Sequence, residues 1–149
     1  MPRFAVNVLD VTTALLRADL APQVTVQTRI PDHIITYLPM VVVRATGGDS
    51  SAPEFFDTPY INTQAWTAPP PDPNAPGAVD PYRAASDLCD EVRRILWTAY
   101  RTQRVISVPG GTGWISSIRE SSGPLEISDV DLPQLGRYVA TYELRIRGA

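Results

Sequence analysis

The chain has 149 residues, with 13 Lys and Arg against 16 Asp and Glu, one His, one Cys, nine Gly and 15 Pro. A chain of this length buries roughly two thirds of its extended surface, so it is read as a single domain over 1–149 on one core. One Cys makes no intramolecular disulfide, one His and one Cys do not complete a zinc site, and a net charge of −3 does not describe a surface that grips phosphate.

The N-terminus, Met1-Pro2-Arg3-Phe4, lacks the basic region, apolar run and cleavage site of a signal peptide, and no window offers the roughly 20 apolar residues of a bilayer span. The expectation is a chain kept in the cytoplasm. Phe4, Val8, Val11, Leu15 and Ala18 recur at helical spacing, and Asp19-Leu20-Ala21-Pro22 supplies a stop, which predicts a helix over about 5–19. Leu9, Leu16 and Leu20 form a second apolar stripe on it. Burial within the domain accounts for such a stripe, and so does contact with a second subunit; on the latter reading Leu9 and Leu16 are candidate interface residues.

Val24, Val26, Thr28 and Ile30 alternate with Thr25, Gln27 and Arg29, a strand pattern. Residues 37–45 form a continuous apolar strand, expected to be central and covered on both faces, and bounded by a Gly47-Gly48-Asp49 turn. Residues 46–54 read as a loop, followed by the Phe55-Phe56 pair in otherwise polar surroundings. Tyr60 to Trp66 predicts a third strand with Tyr60, Asn62, Gln64 and Trp66 on one side and Ile61, Thr63 and Ala65 on the other. Pro69, Pro70, Pro71, Pro73, Pro76 and Pro81 then make a Pro-rich connector at 68–81, expected to be extended and semi-rigid.

Asp80 and Pro81 suit the cap and first turn of a long helix over about 81–103. Ala85, Leu88, Val92, Ile95, Leu96 and Ala99 make its core face, with Cys89 beside them. Opposite lie Arg93, Trp97, Arg101 and Arg104. Trp and Arg are enriched at interface hot spots, so Arg93, Trp97 and Arg101 join Leu9, Leu16, Phe55 and Phe56 as candidate contact residues. The alternative for Trp97 is that the connector folds back over it, and Asp90 is expected to neutralise part of the arginine charge. After the Pro109-Gly110-Gly111-Thr112-Gly113 turn, Trp114 to Glu120 reads as a strand. A loop with Asp129, Asp131 and Pro133 leads to a closing strand in which Tyr138, Ala140, Tyr142, Leu144 and Ile146 alternate with polar residues.

The predicted fold is therefore α+β, of order α-β-β-β-α-β-β: a mainly antiparallel or mixed sheet of about five strands with two helices packed on one face.

No catalytic constellation stands out. His33, the only imidazole, lies in a turn-like Pro31-Asp32-His33 segment with no nucleophile motif nearby. The 109–113 turn lacks phosphate-loop spacing and feeds a strand rather than a helix. Asp129 and Asp131 are two carboxylates without further oxygen ligands, a weak cation site. These residues imply no enzyme, no metal and no cofactor.

In the order of its parts, nearly the whole chain resembles the tail terminator proteins of long-tailed bacteriophages. The residues that carry the likeness are the short N-terminal helix, Leu38-Pro-Met-Val-Val-Val43, Phe56-Asp-Thr-Pro-Tyr-Ile-Asn-Thr-Gln-Ala-Trp66, the helix Ala84 to Tyr100 and Tyr138-Val-Ala-Thr-Tyr-Glu-Leu-Arg-Ile-Arg147. The resemblance implies a structural virion protein of the tail and neck, assembled in the host cytoplasm. It implies a hexameric ring that caps the tail tube, ends its polymerisation and joins the tail to the head connector. The implied partners are further copies of the chain, the major tail tube protein and a head–tail connector or stopper protein. Genomic DNA would pass through the lumen without specific binding, and no membrane is involved. Arginine as the sole basic residue is compatible with a phage of a GC-rich host such as an actinobacterium. Other readings are another head–tail connector (stopper or adaptor), a small-molecule-binding or hydrolytic domain using Asp129, Asp131 and His33, and a nucleic-acid-binding module.

Overall fold

In the computed structural model, which describes residues 6–49, 56–127 and 134–148, Asn7 opens the first helix, α1 (Val8–Leu20), its side chain accepting from the N–H groups of Leu9 and Asp10. Those are two of the orphan donors at a helix start, and their capture fixes where α1 begins. Val8, Val11, Leu15, Leu16 and Leu20 are buried along it. The helix ends at Leu20 because Ala21 precedes Pro22 and takes an extended conformation.

The first strand is shorter than its alternating pattern suggests. Only β1 (Thr25–Gln27) pairs, running parallel to β2 (Met40–Asp49). Beyond it the chain leaves the ladder toward Pro31, which has no N–H to give a neighbour, and crosses to the other face of the sheet. There a 3-10 turn, Ile34–Tyr37, and Leu38 pack on Met40, Val42, Trp66 and Leu135. The start of β2 is thus covered on both faces, as its continuous apolar run predicts. Its position is not central, however, because it lies one strand from the edge of the sheet.

β2 runs on through Gly47 and Gly48 instead of turning at them. The pair is absorbed as a register shift between Ala45 and Gly48, with Gly47 at φ 109°, a conformation that suits glycine. Part of the expected 46–54 loop is therefore strand. β3 (Phe56–Thr67) returns antiparallel, and its alternation is the predicted one: Ile61 and Ala65 join the core beneath the helices while Trp66 lies with the opposite cluster.

The second helix, α2 (Pro81–Thr102), begins with Asp80 accepting from the N–H of Tyr82 and ends at Gln103, which has a left-handed backbone. Then come β4 (Ile106–Val108), β5 (Gly111–Glu126) and β6 (Gly136–Gly148). β4 is the strand the sequence does not announce, because three residues are too few to establish a period. With it the sheet has, among the described residues, six strands in the order β1-β2-β3-β6-β5-β4. β1 and β2 are parallel and every other pair is antiparallel, so this α+β fold has a mixed sheet with both helices on one face.

The core under the helices joins Val11, Leu15 and Leu16 of α1 and Val92, Ile95 and Leu96 of α2 to Ile115, Tyr142, Leu144 and Ile146 of the sheet. Each such aliphatic side chain contributes roughly 1.5–3 kcal/mol on burial.

The Pro-rich connector is not the extended spacer its composition suggests. It leaves β3 at Thr67 and returns at Pro81, and the Thr67 hydroxyl donates to the Pro81 carbonyl at 2.5 Å. Two short turns, Ala75 N–H to Asp72 O and Ala78 N–H to Ala75 O, bend it back. It is a closed surface loop whose ends are tied together. Gly136 completes the closure: a Cβ there would fall on the Pro81 carbonyl and the Thr67 hydroxyl. Gly136→Ala should therefore lower stability by about 3 kcal/mol or more. Urea unfolding checks this as a reduced midpoint at unchanged slope; an unaltered midpoint would show that the closure has slack.

Candidate subunit-contact surfaces

The candidate contact residues separate into three groups. Leu16 is fully enclosed in the core, so for this residue the stripe on α1 serves the domain's own interior. Leu9 is half-buried against the same core. Phe55 lies outside the described residues; Phe56 is the first residue of β3, opposite Arg147, and its side chain is not described.

Arg93, Trp97 and Arg101 stand together on the outer side of α2. The lining of the hollow around them, Asp90, Arg93, Arg94, Trp97, Thr98 and Arg101, comes from α2 alone. No connector residue closes over Trp97 there. Its ring is half-buried, meets Tyr100 edge to face at 5.9 Å, and carries the Arg101 guanidinium 5.9 Å from its centre.

Asp90 favours the charge on Arg93 through space, as expected, while the direct ion pairs of Arg93, Arg94 and Arg104 are with other carboxylates. Arg93 Nη2 donates to Glu120 of β5 at 2.8 Å. Its Nε also lies 2.5 Å from Glu120 Oε1, an ion-pair contact without hydrogen-bond geometry. Arg94 pairs with Glu91, whose carboxyl is held below its ordinary range by that bond. Arg104 reaches Asp19 of α1 at 3.0 Å. Exposed pairs of this kind are screened by water and add little to stability, so they orient the stripe more than they stabilise the fold.

The sheet face away from the helices is a further polar surface, outside the candidates drawn from the sequence. Cross-strand partners share a face, so the ladder places Trp114 with Arg147, Ser117 with Arg145, and Arg119 with Glu143 on that side. Arg44 and Asn62 lie there too. Across it runs a chain of hydrogen bonds: Arg137 donates to Gln64, Gln64 to Asn62, and Asn62 to Thr141, each at 3.1 Å. Arg137 also lies 4.6 Å from the centre of the Trp66 ring. Arg101, Arg145 and Arg147 line one hollow with Tyr100, Gln103, Trp114, Ser116 and Ser117. The signal was present in the closing strand, where Arg137, Arg145 and Arg147 alternate with the core residues. The net charge of −3 hides it, because acidic residues elsewhere outweigh these arginines.

The residues considered for chemistry remain apart from these surfaces. His33 is exposed at the start of the 3-10 turn, and Asp129 and Asp131 lie outside the described residues. Among the described residues no three His, Cys, Asp or Glu side chains gather as a metal site would need, and no helix is long and apolar enough to cross a membrane. Cys89 is 1% exposed beneath α2, and burial, with Asp90 and Glu120 adding, pushes its thiol up to about 11. Burial likewise raises the Tyr142 hydroxyl.

The family model for phage tail termination proteins matches residues 5–131, and the chain belongs to that family. It is a structural protein of the phage tail, and its place is the tail of the virion. Compared with the curated proteins, the chain matches none.

Two predictions follow from the side chains of α2. Trp97→Ala should weaken assembly onto tails more than it weakens folding, because its ring is only half inside the core; thermal unfolding and tail binding of one preparation check this. Equal losses would make Trp97 a core residue alone. For Cys89, a pKa raised in the folded state means that its contribution to stability is complete below pH 9.0 and is lost as pH rises through about 11. Urea midpoints should fall over that window, and Cys89→Ala should remove the fall's first part.

Proposed function

We propose that copies of this chain close into a ring, hexameric as in the family resemblance, that caps the end of the tail tube, stops its growth and then offers its other side to the head connector. The observation that carries the reading is the family match over 5–131. The fold supports it with two unlike exposed sides. One is the α2 stripe with Trp97; the other is the sheet face with Arg44, Arg119, Arg145 and Arg147. A ring needs unlike surfaces, because each subunit meets its neighbours through two different patches.

The action is occupancy. A subunit on the growing end of the tube covers the surface onto which the next tube protein would add, and no bond in a substrate changes. In this account the partners are further copies of the chain, the tube protein and a head–tail connector or stopper protein. Particles made without the chain should carry overlong or headless tails in negative-stain images. Tails of normal length joined to heads would contradict the proposal.

The arginines of the sheet face favour one second reading, a nucleic-acid contact. Phosphate binding by cations falls steeply with salt. The ring reading expects no retention of duplex DNA by the purified chain at physiological salt. Tight binding with a steep salt slope would instead favour a nucleic-acid module.

A further inference from the structure

The edges of the sheet are left largely open. β1 covers β2 only across Met40, Val41 and Val42, and β4 covers β5 only across Gly111, Thr112 and Gly113. Among the described residues, β2 from Val43 onward and β5 from Trp114 to Glu126 have no strand on their outer sides. Such an edge presents backbone N–H and C=O groups that another chain can pair with. Register shifts flank Ser117–Glu120 and follow Ala45, so each edge offers only a short regular run.

Resting on the ring reading, we propose that neighbouring copies join strand edge to strand edge, the outer edge of β5 of one copy pairing antiparallel with the outer edge of β2 of the next. Three observations carry this choice of occupant.

The first is direction. β2, β3, β6 and β5 alternate in direction, so the two outer edges of this block of four run oppositely. A rotation about a ring axis keeps the direction of strands that run along that axis, and with the strands so set it brings β5 beside the next copy's β2 as an antiparallel pair. The contact is heterologous, the kind that builds rings.

The second is charge at matching height. Phe56 opposes Arg147, and Arg147 opposes Trp114, so the end of β2, the start of β3 and the first part of β5 lie at the same end of the sheet. Asp49 closes β2 and Asp57 stands at the start of β3, and the sequence has no basic residue from Gly47 to Pro59. At that end of β5 sits the hollow lined by Arg101, Arg145 and Arg147. Continuing the sheet into the next copy brings the positions of Asp49 and Asp57 of one to the end that holds the arginines of the other.

The third is the flank. The α2 stripe follows the β5 edge, from Arg93 at Glu120 to Arg101 in the hollow with Trp114. An incoming β2 would be walled on one side by Trp97 and its arginines. Pairing of β5 with β5 would instead give a closed twofold dimer, which does not build a ring. The short regular runs also imply weak pairing in dilute solution and firm pairing only where copies are gathered on the tube.

Cysteine trapping tests the joint. Arg44→Cys is combined in turn with Ser117→Cys, Arg119→Cys or Ser121→Cys, and tails are assembled with that variant as the sole source of the chain. All four positions are exposed, whereas Cys89 is buried and leaves the parent chain as a silent control. After oxidation, at least one double variant should give a covalent ladder beyond the dimer on a non-reducing gel, with no ladder from any single variant. Electron micrographs of the same tails separate the two claims. A ring with no ladder from any double variant would overturn the edge joint and leave the ring standing. Tails without a ring would overturn both. Dimers from single β5 variants would overturn this joint in favour of β5–β5 pairing. Hydrogen exchange on the unmodified chain reads the same contact without mutation. Amides of 43–45 and 117–120 should slow by about tenfold or more on assembly, and unchanged rates in ring-bearing tails would overturn the proposal.

Discussion

The packing of α1 and α2 across one face of the sheet is the constraint on which the remaining features depend. Alternate residues of β6, from Ala140 through Tyr142 and Leu144 to Ile146, are buried beneath the helices, as are Ile61 and Ala65 of β3 and Ile115 of β5. Side chains on a strand alternate between faces, so burying these positions turns Arg137, Glu143, Arg145 and Arg147 to the opposite side. A polar outer face is thus a direct consequence of the apolar inner one. The second small core, where Ile34 and Leu38 cover Met40, Val42 and Trp66, closes only one end of that face.

Much of the fold was legible because burial imposes a period. The α2 stripe from Ala85 to Ala99 and the alternation in β3 and β6 appear in the structure as the sequence presents them. The departures occur where a local signal competes with pairing. Thr28 and Ile30 continue the pattern of β1, yet the chain must leave the ladder before Pro31 to cover Met40 and Trp66. Gly47 and Gly48 read as a turn, but glycine also permits a shift of register inside a longer hairpin. Prolines 69–76 read as a spacer, and the tie between Thr67 and Pro81 bends them into a loop. β4 is too short to show a period.

The contact surfaces were legible in part. Trp97 among arginines was conspicuous by residue type, and the structure places it beside Tyr100 and Arg101 on the outer side of α2. The partner of Arg93 could not be read, since Glu120 is 27 residues away and meets it only through the packing of α2 on β5. Leu16 shows the reverse case: a second apolar stripe suggested a partner, and the chain's own core occupies it. Net charge misled most. A value of −3 averages over an acidic 47–59 segment and a sheet face rich in arginine, and contact between subunits depends on where the charges lie rather than on their sum.

On the proposed reading this tail protein acts by fit, with unlike edges of one fold meeting around an axis. An electron cryo-microscopy map of the head-proximal end of the tail, with this chain traced in it, tests that most directly. The expected result is a closed circle of copies seated on the last layer of tube protein. A lone copy, or copies distributed along the tube with none encircling its end, would contradict it.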